Sequence, residues 1–312
     1  MTTSPGSFSV APSTAVTDLR MRYGTADVLM GVSFNVAKGE VVALLGPNGA
    51  GKSTTIEILE GVRRRSGGEV SVLGADPEII DEQWRARVGM VMQSWRDHAR
   101  WSPHDLVEYL GRLYDPYAAV SGRPRWATEE LLKMVGLDRV SRQKIRTLSG
   151  GERRRLDIAI GVIGRPEVLF LDEPTAGLDP EGRRDVHELI HGIVDRDDTA
   201  VLLTTHDLDE AGKIADRILV LAGGRIVADG SADALAASLA RDVQIRWTHG
   251  GRAHVHACAE ATGFVRQLLT GPAGADVKDL EVSRPTLEET YLALVATHHR
   301  GANAPLDEKA VV

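Results

Sequence analysis

The clearest chemistry lies in Gly46-Pro47-Asn48-Gly49-Ala50-Gly51-Lys52-Ser53, followed by Thr54. The run matches G-x-x-x-x-G-K-[ST]. Its glycines let backbone N–H groups turn toward an anion with no Cβ in the way. A helix opening at Lys52 presents its positive end to the same anion. Lys52 then neutralises the β- and γ-phosphates of a nucleotide, and the Ser53 hydroxyl is a hard oxygen ligand suited to Mg²⁺. The bland alternative is a glycine turn with a surface lysine. An apolar run before the loop, Glu40–Leu45, and a helical pattern after it, Lys52–Leu59, weigh against that alternative.

Two further constellations narrow the chemistry. Val168-Leu169-Phe170-Leu171 is an apolar strand that ends in Asp172 and Glu173. In open α/β folds ligands bind at the carboxyl edge of the sheet, where both acids can reach a cleft. Asp172 suits a Mg²⁺ contact and Glu173 suits polarising an attacking water. The competing reading is that both merely cap the next helix, expected to start after Pro174. Ser149-Gly150-Gly151-Glu152 opens another helix and gives a second anion-binding N-terminus. Two such devices far apart in one chain are unusual for a kinase or a small GTPase.

These residues need an α/β frame. Short continuous apolar runs, including Ala200–Thr204, alternate with amphipathic segments, which indicates a mostly parallel sheet covered on both faces. From Gln93 to Pro166 the pattern turns helical, with Asp105–Tyr114, Thr128–Val135 and Glu152–Val162 as helices and no convincing strands. After Ser231 a helix over Asp233–Ala240 is followed by strands at Val243–Trp247 and Ala253–Ala257. Helices are expected at Gly263–Leu269 and Leu287–Val295. The expected organisation is a polar arm over 1–14, a nucleotide-binding domain over 15–235 with a helical insertion at about 94–165, a small α+β domain over 236–297, and a tail over 298–312.

Composition fits this frame. Hydrophobic residues make up 43% of the 312, enough for a core, and aromatics only 4%, so Leu, Val, Ile and Ala must fill it. The net charge of −7 argues against a nucleic-acid binder. With Cys258 as the one cysteine, no intramolecular disulfide can form, which fits a reducing compartment. The polar start does not resemble a secretory signal. No apolar stretch approaches the roughly 20 residues that span a bilayer, so any action at a membrane requires a partner that crosses it.

From about Thr14 to Ser231 the chain resembles the nucleotide-binding subunit of ABC (ATP-binding cassette) transporters. Gly46–Ser53 corresponds to the Walker A loop, Asp172 and Glu173 to the Walker B pair, and Ser149–Glu152 to the signature. Gln93 corresponds to the Q-loop, Ala176-Gly177-Leu178-Asp179 to the D-loop, and His206 to the switch histidine. Tyr23 sits where the family stacks an aromatic on adenine. The resemblance implies a P-loop NTPase core with an inserted helical subdomain and an N-terminal antiparallel β subdomain. It also implies a head-to-tail homodimer in which ATP is held between the Walker A loop of one chain and Ser149–Gly151 of the other. Glu173 would be the general base. His206 would hold the γ-phosphate and position the water. Gln93 would sense Mg²⁺ and link the site to a membrane partner. One departure stands out: the signature's usual glutamine is Glu152. An acid near phosphate is electrostatically unhelpful, and Arg153, Arg154 and Arg155 are expected to offset it.

Ser283–Leu294, with Thr286 and Glu289 spaced as a capping box, resembles the close of ABC-2-type exporter ATPases, the daunorubicin-resistance-like group. That implies a separate ABC-2-type permease, drug, antibiotic or lipid-like cargo, and a peripheral place on the cytoplasmic face of the membrane. The alternative is a non-transport ABC ATPase that remodels another complex. Trp95, Arg96, His98, Arg100 and Trp101 follow Gln93 and are expected to form a contact surface. Arg63-Arg64-Arg65 reads as a solvated turn. His254, His256 and Cys258 share a strand face, but no fourth ligand for a metal is evident nearby.

Overall fold

The computed structural model describes residues 11–92, 98–118, 122–239, 243–258, 260–271 and 274–283. Gln93, Trp95, Arg96 and the segment with Thr286 and Glu289 lie outside the described residues.

The centre is a six-stranded sheet in the order β5-β6-β7-β3-β8-β9. Its strands are β3 (Val41–Leu45), β5 (Val88–Val91), β6 (Val168–Asp172), β7 (Ala200–Thr205), β8 (Arg217–Ala222) and β9 (Arg225–Gly230). All neighbours are parallel except β8 and β9, which form an antiparallel pair. Strand alternation sorts their side chains between two cores. Val41, Ala43, Leu45, Leu169, Leu171, Val201 and Leu203 face one side. Val42, Leu44, Val168, Phe170, Ala200 and Leu202 face the other. Burial on both faces is why these strands read as continuous apolar runs and not as alternating ones.

The first core is closed by helices α3 (Pro103–Gly111), α4 (Thr128–Met134), α5 (Gly150–Val162), α6 (Pro180–Asp197) and α7 (Leu208–Ile214). The second is closed by α1 (Lys52–Leu59), by the short α2 (Glu82–Arg85), whose Trp84 joins it, and by a three-stranded antiparallel sheet in the order β2-β1-β4. Those strands are β1 (Thr14–Tyr23), β2 (Ala26–Val36) and β4 (Gly67–Val72). β1 opens at Thr14, the last residue assigned above to the arm.

After α8 (Ala232–Leu239) come β10 (Val243–His249), β11 (Arg252–Cys258) and β12 (Lys278–Ser283), which form a second antiparallel sheet in the order β11-β10-β12. Helix α9 (Ala261–Thr270) packs on it through Phe264, which stacks on His256 at 3.9 Å and tilts against Trp247 at 5.8 Å. His254 stacks on Trp247. These histidines pack against aromatic rings, and no cluster of three metal-ligating side chains occurs among the described residues. Among those residues no helix is long and apolar enough to cross a membrane.

A candidate ATP site at the carboxyl edge of the sheet

The phosphate loop leaves the end of β3 at the centre of the sheet. Gly46 N donates to Thr205 O on β7 at 3.3 Å, which ties the loop to its neighbouring strand. Gly51 precedes α1 at φ 106°, and a Cβ there would stand 2.6 Å from Leu29 Cδ2. No other residue fits both the dihedral and the space. Lys52 bends back, and its Nζ donates to Gly46 O at 2.8 Å and Pro47 O at 3.3 Å. Burial pulls its ammonium below the ordinary value, against the opposing pull of Glu173 and Asp172.

The two acids sit one strand beyond β7. Asp172 Oδ1 accepts from the Thr204 hydroxyl at 2.5 Å, and the same hydroxyl oxygen accepts from Glu173 N at 2.9 Å. Glu173 has φ 46°, a left-handed conformation uncommon outside glycine. Such strain costs on the order of 1–3 kcal/mol and gathers at functional sites. Here it turns the side chain out of the strand. Glu173 Oε1 lies 3.8 Å from Lys52 Nζ and 3.3 Å from His206 Nδ1. His206 follows the last residue of β7 and stays half-exposed. These three side chains, with Tyr23, Val28, Asn48, Gly49, Gly51, Ser53 and Thr54, line one open cavity of about 480 Å³. The Tyr23 hydroxyl reaches Thr54 Oγ1 at 3.4 Å.

The turn after Glu173 differs from the sequence expectation. The next helix does not begin after Pro174. Ala176 N donates to Glu173 O and Leu178 N to Thr175 O, turns that Gly177 completes at φ 77°. A left-handed residue cannot continue a right-handed helix, so α6 waits until Pro180. Asp179, not Asp172 or Glu173, caps it by accepting from Gly182 N at 2.9 Å. The helix-cap reading of the acid pair is therefore excluded. The Thr175 and Thr205 hydroxyls both donate to the buried carboxylate of Glu210, tying this turn to the strand that carries His206. Burial pushes Glu210 up, but His187 Nε2 at 3.6 Å and the Thr175 and Thr205 hydroxyls outweigh it and hold the carboxyl below its ordinary value.

Ser149, Gly150, Gly151 and Glu152 are absent from the cavity lining. They form the start of α5 as a capping box: Ser149 Oγ accepts from Glu152 N at 3.2 Å, and Glu152 Oε2 accepts from Ser149 N at 2.8 Å. The carboxylate folds back on its own helix. The expectation that Arg153, Arg154 and Arg155 offset it is corrected. Arg153 pairs with Asp157 and Arg155 with Asp185, while Arg154 is buried against main-chain carbonyls. Helical spacing carries Arg153 and Arg155 to acids one turn away or on α6, so their charge is committed there.

In the Arg63–Arg65 turn Arg64 is exposed, and the arginines on either side of it take partners. Arg63 pairs with Glu57 and lies over the Tyr23 ring at 5.0 Å. Arg65 holds Asp76 at 2.6 Å and Glu78 at 3.2 Å. Of the aromatics after Gln93, Trp101 stands edge-on to both His98 and Tyr109. Glu210 is a neighbour of the site that motif reading did not single out, and Arg154 one that it placed beside Glu152 and not against the turn after the acid pair.

A glycine loop at a helix start, a lysine, an acid pair and a histidine at one sheet edge define a P-loop ATPase. Comparison with known proteins refines that class. Residues 29–176 match the family described as ABC transporter. The chain is 37% identical over 304 residues to the daunorubicin resistance ATP-binding protein DrrA3 of Streptomyces coeruleorubidus, covering 89% of this chain and 94% of that one. It is 32% identical to the linearmycin resistance ATP-binding protein LnrL of Bacillus subtilis (strain 168), over 75% of this chain and 74% of that one. A solved ATP-binding subunit of an ABC transporter superposes with a TM-score of 0.62 at 28% identity, covering 72% of this chain and 92% of that one. The chain belongs to the ABC transporter family and is its ATP-binding, ATP-hydrolysing subunit.

Proposed function

We propose that this chain energises an ABC-2-type exporter of drug, antibiotic or lipid-like cargo through a separate transmembrane permease, from the cytoplasmic face of the membrane. The observation that carries the ATPase half is the meeting of Lys52, Glu173 and His206 around one cavity beneath the phosphate loop. The exporter half is supported by likeness to two resistance ATP-binding proteins along most of their length.

Lys52 binds the β- and γ-phosphates, exchanging its carbonyl partners for phosphate oxygens. Glu173 is the base: its carboxylate already stands among cationic and imidazole groups at the mouth of the cavity, where it takes a proton from the attacking water. His206 orients that water and the γ-phosphate. Tyr23 supports the adenine, and Gln93 links the site to the permease. Ser53 and Asp172 offer a hydroxyl and a carboxylate, hard oxygens that fit Mg²⁺. When bound there, the ion neutralises charge on the phosphates.

Ser149, Gly150 and Gly151 serve the site of a second copy, giving a homodimer with two composite sites. A Cβ at Gly150 would meet nothing within 4 Å in its own chain. The chain's own packing therefore does not demand glycine there, which supports a surface kept open for another molecule. Asp179, capping α6 beside the turn, belongs to the same interface. Co-purification with the permease in membrane vesicles tests this. ATP-dependent export that stops with Lys52→Ala is expected. ATPase activity indifferent to the permease and to every candidate cargo would overturn the exporter reading.

A further inference from the structure

Arg154 lies one turn into α5 and is 7% exposed. Its guanidinium meets four main-chain oxygens. Nε donates to Pro174 O at 2.6 Å and Nη1 to Met92 O at 2.8 Å. Nη2 donates to Asp172 O at 3.0 Å and Glu173 O at 3.1 Å. Three of the acceptors form the turn that swings Glu173 out of β6. The fourth is the residue before Gln93.

A turn that leaves the strand through a left-handed residue cannot pair its carbonyls in a regular ladder, and buried carbonyls need donors. The planar, permanently charged fork of arginine supplies several at once in a fixed geometry. In a buried site such charge-assisted bonds are strong and directional. Glu173's side chain hangs from this peptide frame, so the frame sets where its carboxylate stands relative to Lys52 and His206.

We infer that Arg154 is a positioning residue for hydrolysis: it fixes the peptide frame of Glu173 and joins that frame to the helix opened by Ser149. The inference rests on the reading of Glu173 as the base and of Ser149–Gly151 as acting on a second copy. Given that reading, engagement of the α5 N-terminus at one nucleotide is passed through Arg154 to the base at the other. The two composite sites are coupled within each protomer by one side chain.

The test compares full-length wild type, Arg154→Met and Glu173→Gln by steady-state ATPase, fluorescent ATP-analogue binding and thermal melting. For Arg154→Met we expect kcat to fall about tenfold or more, as misplacement of a reacting group does. Nucleotide affinity should stay within roughly threefold, a split that marks loss of an interaction specific to the transition state. A kcat within roughly threefold of wild type, or a parallel loss of kcat and nucleotide affinity, overturns the inference. If melting shows Arg154→Met unfolded at the assay temperature, Arg154→Lys, which keeps the charge but not the fork, carries the same comparison. An inactive Glu173→Gln beside a wild-type-like Arg154 variant defeats this inference alone. An active Glu173→Gln defeats the reading beneath it.

Discussion

His206 Nδ1 lies 3.3 Å from Glu173 Oε1, although 32 residues separate the two along the chain. The pairing is a product of the sheet. β6 and β7 are parallel neighbours with Asp172 opposite Thr204, so the residues just past their ends meet at one edge. The Thr204 hydroxyl reinforces the register by bonding both Asp172 Oδ1 and Glu173 N. Strand register therefore brings the imidazole and the carboxylate to one edge, the geometry that the proposed roles of Glu173 and His206 require.

The capping box predicts the outcome of restoring the familiar signature residue. In Glu152→Gln the amide oxygen accepts from Ser149 N as the carboxylate does. Stability should shift by no more than about 0.5 kcal/mol, and ATPase activity should change little. Glu152→Ala removes the return bond and should cost about 1 kcal/mol. Denaturant titration of the three proteins reads this directly. A Glu152→Gln variant with strongly altered turnover would show that the carboxylate does more than cap.

Glu60, the buried residue that ends α1, predicts a pH dependence. Burial, helped by Asp172 and Glu57, raises its pKa from 4.5 to about 7. The folded protein then holds a proton that the unfolded chain releases. This contribution to stability is whole below about pH 4.5 and is lost as the pH rises through about 7. The shift bounds the effect at roughly 3 kcal/mol. Glu60→Gln should match wild type in acid and exceed it at about pH 8, flattening melting temperature against pH. Parallel curves for the two proteins would contradict the assignment.

Ser149→Arg tests the composite site. The substitution puts a long cation at the start of a helix absent from the lining of its own chain's cavity. Nucleotide binding should persist while hydrolysis falls by about a hundredfold. Mixing this variant with Lys52→Ala should restore part of the activity, since one intact composite site then forms. No recovery in the mixture would count against action across two chains.

How much of this was legible in the sequence depended on whether the chemistry was local. Gly46–Ser53 could be read because phosphate binding needs consecutive backbone groups, and the strand before and helix after it were visible as apolar runs. Asp172 and Glu173 could be read because a buried parallel strand ends in them. Glu173's left-handed turn could not, since Glu-Pro-Thr reads equally well as a helix start. Arg154 was hidden within three consecutive arginines, where helical rotation alone decides which one faces the core. Glu60 belongs to no motif, and its burial is set by the fold alone. What escaped the sequence were the long-range contacts that set burial and charge, such as Arg154 with Pro174 and Thr175 with Glu210.

The most direct measurement is single-turnover and steady-state hydrolysis by Glu173→Gln, with light-scattering mass taken with and without ATP. On the proposed role of Glu173 as base, the substitution should leave ATP binding intact, slow hydrolysis by about 10²–10⁴-fold and trap an ATP-dependent dimer. Hydrolysis at the wild-type rate, or a variant that remains monomeric with ATP bound, would contradict the account.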